Sequence, residues 1–149
     1  MRKPDWLKVP LPNSRQFIEM RGLLGRLDLH SVCQEARCPN MGECFQSGTA
    51  TFLILGDLCT RNCRYCNVRH GQPAPVDASE PERLAQAVKA LGLRYIVITS
   101  VTRDDLPDGG ASVFARCVEL LRREIPDCRV EVLIPDLQGN WDALERILE

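Results

Sequence analysis

Six of the eight cysteines fall between positions 33 and 66, in two triplets of different spacing: Cys33-x4-Cys38-x5-Cys44, then Cys59-x3-Cys63-x2-Cys66. Soft thiolates suit iron–sulfur clusters, and one short loop can bring three of them to three corners of a 4Fe-4S cubane. A cluster held by Cys59, Cys63 and Cys66 keeps one iron free for a substrate or cosubstrate, as catalytic zinc keeps one open position. The competing reading is zinc, which wants four ligands and could recruit His70 as a Cys3His set. The upstream triplet, read alone, is a cluster or structural zinc site completed from elsewhere. Cys117 and Cys128 lie apart from both triplets and read as structural thiols. His30 and His70 flank the triplets and read as surface or supporting groups.

The elements that must position these thiols alternate strand and helix. Residues 1–13 contain Pro4, Pro10 and Pro12 and read as an extended arm. From Ser14 to Leu27 the spacing of Phe17, Met20, Leu23, Leu24 and Leu27 predicts a helix, with Gly22 and Gly25 as weak points. The first triplet follows in a Pro-, Asn- and Gly-rich stretch that reads as a loop. Thr51 to Leu55 is a continuously apolar run between glycines 48 and 56, the mark of a strand buried on both faces. The second triplet comes directly after it. Ser79 and Glu82 fit a capping box for a helix over about 80 to 91 with Leu84, Val88 and Leu91 inward. Tyr95 to Thr99 reads as strand, 100–110 as a polar loop, 111–124 as helix and Val130 to Ile134 as strand. Asn140 caps a last helix carrying Trp141, Leu144, Ile147 and Leu148. Three such units predict an α/β fold with parallel strands and right-handed crossovers. The division expected is 1–50 as arm, helix and cysteine-rich loop, and 51–149 as three βα units of a longer barrel.

The spacing of Cys59, Cys63 and Cys66, with the aromatic Tyr65 before the last, resembles the signature of radical S-adenosylmethionine enzymes. Both triplets in this order resemble those of the lipoyl synthases within that superfamily. The flanks agree: Cys38-Pro39-Asn40 then Gly42-Glu43-Cys44; Gly56-Asp57-Leu58-Cys59-Thr60-Arg61; Thr99 to Leu106; Asp108-Gly109-Gly110-Ala111; and Glu131 to Asp136. The resemblance covers essentially the whole chain. It implies radical sulfur insertion at C6 and C8 of an octanoyl group on a lysine of a lipoyl carrier domain or glycine-cleavage H protein. S-adenosylmethionine is the cosubstrate, and flavodoxin or ferredoxin the electron donor.

Two 4Fe-4S clusters follow from the same resemblance. Cys59, Cys63 and Cys66 would hold the radical-generating one, and Cys33, Cys38 and Cys44 an auxiliary one dismantled to supply sulfur. Thr99, Ser100, Asp104, Gly109 and Gly110 would contact the cosubstrate, the two glycines allowing close backbone approach. Glu131 interrupts an apolar strand, where an unpaired carboxylate is costly. It reads either as a ligand contact, to the cosubstrate's ribose for example, or as an edge-facing side chain. Arg61 and Arg64 either pair with carboxylates or face solvent. The family's Arg-Ser-Ser-Tyr motif, which supplies a serine ligand to the auxiliary cluster, does not occur, and the later strands of its partial (β/α)6 barrel are not present. The expectation is an N-terminal fragment with about half the barrel, inactive alone.

Charge narrows the function classes. Lys plus Arg number 19 and Asp plus Glu 20, a net charge of -1, which gives no general electrostatic case for nucleic acid or an anionic membrane. A tRNA methylthiotransferase, which needs a basic RNA-binding face, is therefore disfavoured. A biotin-synthase-like protein is disfavoured by the upstream triplet, and a non-catalytic iron–sulfur or zinc module remains the alternative from another class. Residues 1–26 are locally basic, with Arg2, Lys3 and Lys8 able to dock an acidic carrier. With no export signal or membrane span in the sequence, a cytoplasmic monomer with reduced thiols is expected.

Overall fold

The computed structural model describes residue 4, residues 14–47 and residues 49–149. The proline-rich arm with Arg2, Lys3 and Lys8 lies outside the described residues, Pro4 apart, as does Gly48. Helix α1 (Arg15–Arg26) begins where the Ser14 hydroxyl accepts the Phe17 N–H at 3.1 Å. Its Phe17, Met20 and Leu24 are buried, and the Phe17 ring meets Phe45 at 5.7 Å between centroids. Gly22 and Gly25 do not end the helix, because burying that stripe outweighs a propensity cost of about 1 kcal/mol per glycine.

The segment expected to be a loop is partly helical. After a two-residue strand β1 (His30–Ser31), helix α2 (Val32–Glu35) carries Cys33 and helix α3 (Met41–Gln46) carries Cys44. Both helices are too short to show a hydrophobic period in the sequence. Strand β2 (Ala50–Ile54) then pairs with β1 antiparallel and with β3 (Tyr95–Ser100) parallel; β3 pairs with β4 (Arg129–Leu133) parallel. The sheet is therefore mostly parallel, in the order β1-β2-β3-β4, with one short antiparallel edge.

Helices α4 (Glu80–Leu91) and α5 (Ala111–Glu124) supply Leu84, Val88, Phe114 and Leu121 to the core that buries Phe52, Ile54, Ile96 and Ile98. Each such side chain contributes about 1.5–3 kcal/mol when fully buried. Side chains alternate across a strand, so Tyr95, Val97, Thr99, Glu131 and Leu133 lie on the opposite face, which is more open. Leu133 is exposed there.

The capping box expected at Ser79 does not form. Ser79 is in a helical conformation, and its N–H and hydroxyl both donate to Asp77 Oδ1, at 2.8 and 2.7 Å. Glu82 instead accepts a hydrogen bond from Arg116 at 3.0 Å. Helix α6 (Trp141–Leu148) is capped as expected, with Asn140 Oδ1 accepting the Ala143 N–H. Of its apolar residues Ala143 and Ile147 are buried, whereas Trp141 and Leu148 are exposed. No helix among the described residues is long and apolar enough to cross a membrane.

Candidate metal centre

Strand β2 ends in a backbone conformation that L-residues rarely adopt: Leu55 has φ 68° and Gly56 φ 89°. Left-handed geometry at a leucine costs about 1–2 kcal/mol and persists only where its surroundings impose it. Two buried charged residues do so. Glu80 Oε2 accepts the Leu55 N–H at 2.9 Å, and Arg103 Nη1 donates to the Leu55 carbonyl at 3.2 Å. Arg103 also donates to the Ala74 carbonyl at 3.0 Å and grips both oxygens of Asp105 at 2.9 Å. Burial pushes the Glu80 carboxyl above its ordinary range, against the amides of Leu55 and Gly56, which favour the anion. Gly110 completes the fit: a Cβ there would clash with Leu55 Cδ1. Leu55 therefore packs directly against the Gly110 backbone.

The turn delivers the chain to Cys59, beyond the C-terminal end of β2. Cys59 closes a loop through its own backbone, its N–H donating to the Arg69 carbonyl and its carbonyl accepting from Gly71, both at 2.9 Å. Its sulfur accepts N–H groups from Thr102 at 3.3 Å and Arg61 at 3.4 Å. Cys63 and Cys66 share a turn in which the Cys66 N–H donates to the Cys63 carbonyl at 3.0 Å. Tyr65 sits in that turn and is almost fully exposed; hydrogen bonding to Cys63, then the neighbouring sulfur charges, raise its phenol above the usual value. His70 is exposed, beside Cys59 in the loop closure.

The upstream thiols also gather. Burial pushes the Cys33 thiol up, the nearby Cys38 and Cys44 add to the shift, and the Thr51 amide opposes it. The Cys38 N–H donates to the Cys33 carbonyl at 2.9 Å. Asn67, next to Cys66, donates to the Ala36 carbonyl at 3.4 Å, so the two cysteine segments lie side by side. All six thiols are free, and among the described residues no three Cys, His, Asp or Glu side chains form a preformed metal site. Metal ligands commonly converge only on binding, when the thiols give up their protons. Three thiols on one short loop, one of them already receiving two amides, are a donor set that fits an iron–sulfur cluster.

The other candidate residues divide. Thr99 Oγ1 donates to the Leu133 carbonyl at 2.8 Å, whereas the Ser100 hydroxyl is buried without a partner on the strand face shared with Ile96 and Ile98. Asp104 is held by Arg61, Thr60 and Gln138; the Arg61 guanidinium, first among the causes, lowers its pKa to about 2. Gly109 lines a cavity of about 430 Å3 between the loops after β3 and β4, with Thr102, Asp104, Pro135 and Gln138. Gly110 is the N-cap of α5, where Asp108 accepts the N–H groups of Gly110 and Ser112. Glu131 is exposed on the edge strand and accepts a hydrogen bond from the Tyr95 phenol. Cys117 is buried in α5 and its thiol is pushed well up by that burial.

Sequence reasoning did not find Glu80 or Arg103. Their only signal was a charge beside a turn: Arg103 stands between Thr102 and two aspartates, and Glu80 was absorbed into the helix start.

Residues 53–149, which hold the Cys59–Cys66 loop and strands β3 and β4, match the family model described as the Radical SAM superfamily. The chain belongs to that superfamily. Radical SAM membership supports use of S-adenosylmethionine with an iron–sulfur cluster. Residues 1–38 match a second model, the N-terminal domain of lipoyl synthase of the Radical SAM family. A lipoyl synthase from Chloroflexus aggregans is 55% identical over 148 residues, which is 99% of this chain and 48% of the relative. Lipoyl synthases from Chloroflexus aurantiacus (strain J-10-fl) and Roseiflexus sp. (strain RS-1) are each 56% identical over 147 residues, 99% of this chain and 48% and 49% of the relatives. The chain spans about half the length of the curated relatives it matches.

Proposed function

We propose that this chain is the cluster-bearing part of a lipoyl synthase, which inserts sulfur at C6 and C8 of an octanoyl group carried on a protein lysine. The reading is supported chiefly by the adjacency of the two cysteine segments, the second resting on the C-terminal end of a parallel strand. Active sites in such barrels collect at that end. Cys59, Cys63 and Cys66 would hold one 4Fe-4S cluster and Cys33, Cys38 and Cys44 a second. When bound, the two clusters supply respectively the electron that splits S-adenosylmethionine and the sulfur that is delivered.

Residues 1–50 then form an arm and auxiliary-cluster region, and 51–149 the N-terminal half or so of a partial (β/α)6 barrel. Thr102 and Arg61 aim their amides at the Cys59 sulfur and orient it. Tyr65 lies against the Cys63–Cys66 turn. Thr99, Ser100, Asp104, Gly109, Gly110 and Glu131 are proposed around the cosubstrate, with Asp104 and Gly109 on the cavity wall. The substrate is an octanoylated lipoyl carrier domain or glycine-cleavage H protein, the reductant a flavodoxin or ferredoxin, and the protein a cytoplasmic monomer.

Anaerobic reconstitution tests this. Two cubanes give about eight irons and as many sulfides per chain, and replacing Cys59, Cys63 and Cys66 by alanine leaves about four. One or two zinc ions and no sulfide would overturn the reading in favour of a zinc module.

A further inference from the structure

Arg61 lies between Cys59 and Cys63, and four of the five N–H donors of its guanidinium are taken by two carboxylates. Nε and Nη2 donate to the two oxygens of Asp104 at 2.7 and 2.8 Å; Nη1 and Nη2 donate to the two oxygens of Asp136 at 2.7 and 2.9 Å. Asp104 follows β3 and Asp136 follows β4. One side chain on the cysteine loop therefore grips both of the other strand-end loops. The junction is reinforced: Thr60 Oγ1 donates to the Thr102 carbonyl at 3.0 Å and accepts the Asp104 N–H at 3.2 Å, and Gln138 Nε2 donates to Asp104 Oδ1 at 2.8 Å.

An isolated surface ion pair contributes little, because it orders two side chains for one screened contact. Here the geometry is bidentate on both sides and shared by segments 43 and 75 residues away. Lysine cannot reproduce it, since an ammonium lacks the fork.

We infer that Arg61 is a positioning residue that locks the cysteine loop to the loops after β3 and β4, so that the three thiols and the cavity wall move as one unit. The inference rests on the cluster reading above. In that reading the cosubstrate spans the cysteine loop and its neighbours, and a slack junction lets them drift apart. Losing near-ideal placement of such parts is expensive even when every contacting group is intact.

Hydrogen exchange on the chain without iron tests the junction itself. In R61A and R61K the amides of residues 59–66, 102–106 and 136–139 should exchange about tenfold faster together, with β2 and β3 unchanged. D104N and D136N should each give a partial effect and the double variant the full one. Parent-like exchange of the β3 and β4 loops in R61A would overturn the inference. On the reconstituted protein, S-adenosylmethionine titrated against the electron paramagnetic resonance signal of the reduced cluster should bind about tenfold more weakly in R61A, at unchanged iron content. Binding within about twofold of the parent would equally overturn it. If the parent itself takes up no cluster, the reading of the previous section fails, and the exchange experiment still decides the clamp.

Discussion

Replacing Glu80 by alanine tests whether the cysteine loop depends on an imposed turn. Glu80 is 4% exposed, and its carboxylate accepts the N–H of Leu55, a residue itself 4% exposed and held at φ 68°. In E80A that amide has no partner inside the fold, which costs about 1–3 kcal/mol. The trimmed side chain leaves a partial void at the start of α4, for a total of about 2–4 kcal/mol. At about 2–4 °C per kcal/mol for a chain of this size, the melting temperature should fall by roughly 5–15 °C. E80Q keeps an oxygen facing the amide and sheds a charge that burial disfavours, so it should stay within about 1 kcal/mol of the parent. The same pair gives a pH signature. Because the native carboxyl is raised above its unfolded value, the folded state holds an extra proton between the two. The stability from this group is complete below the unfolded value and is lost as pH rises through the native one. Thermal melts by circular dichroism from pH 4.5 upward should therefore show the parent losing stability relative to E80Q. An E80A protein melting within about 2 °C of the parent, or an E80Q protein as unstable as E80A, would refute the turn argument.

Further outcomes are expected. G110A should lose about 2–4 kcal/mol in urea denaturation, from the positive φ and from the clash with Leu55. G139A, at φ 75° with open space around it, should lose only the backbone share of about 1 kcal/mol, and equal losses would show that Leu55 yields freely. R103M should cost about 2–4 kcal/mol in the same assay, because the Leu55 and Ala74 carbonyls and Asp105 lose their donor; a neutral result would remove Arg103 from the account. Asp104 is depressed to about 2, so its contribution is present above the usual aspartate range and disappears as pH falls towards that value. D104N should therefore lower stability at pH 7 and flatten the acid limb, as denaturation midpoints at pH 7 and pH 3 would reveal.

Runs such as Thr51 to Leu55 and Tyr95 to Thr99 announce strands because β-branched and apolar side chains suit a pleated strand whose helix-facing side is buried. Ser14 and Asn140 announce helix starts because their short polar side chains reach back to free amides. The cysteine spacing is equally local, and it carried the candidate centre. What stayed hidden is non-local. Glu80 meets Leu55 across 25 residues, Arg103 meets it across 48, and Arg61 meets Asp136 across 75; a charged residue in a turn does not name its partner. Strand β1 has only two residues, too few for a period. Ser79 misled because a nearer acceptor, Asp77, took its hydroxyl and amide before a capping box could form.

The turn at Leu55 also sets an order of events during synthesis. Every thiol of both triplets precedes position 67, yet the groups that aim the second triplet stand at Glu80, Arg103 and Asp136. A growing chain therefore exposes its soft ligands to the cell well before it can orient them. On the cluster reading, loading is safest late, once β4 and the loop after it have emerged, because an early metal would meet unaimed thiols.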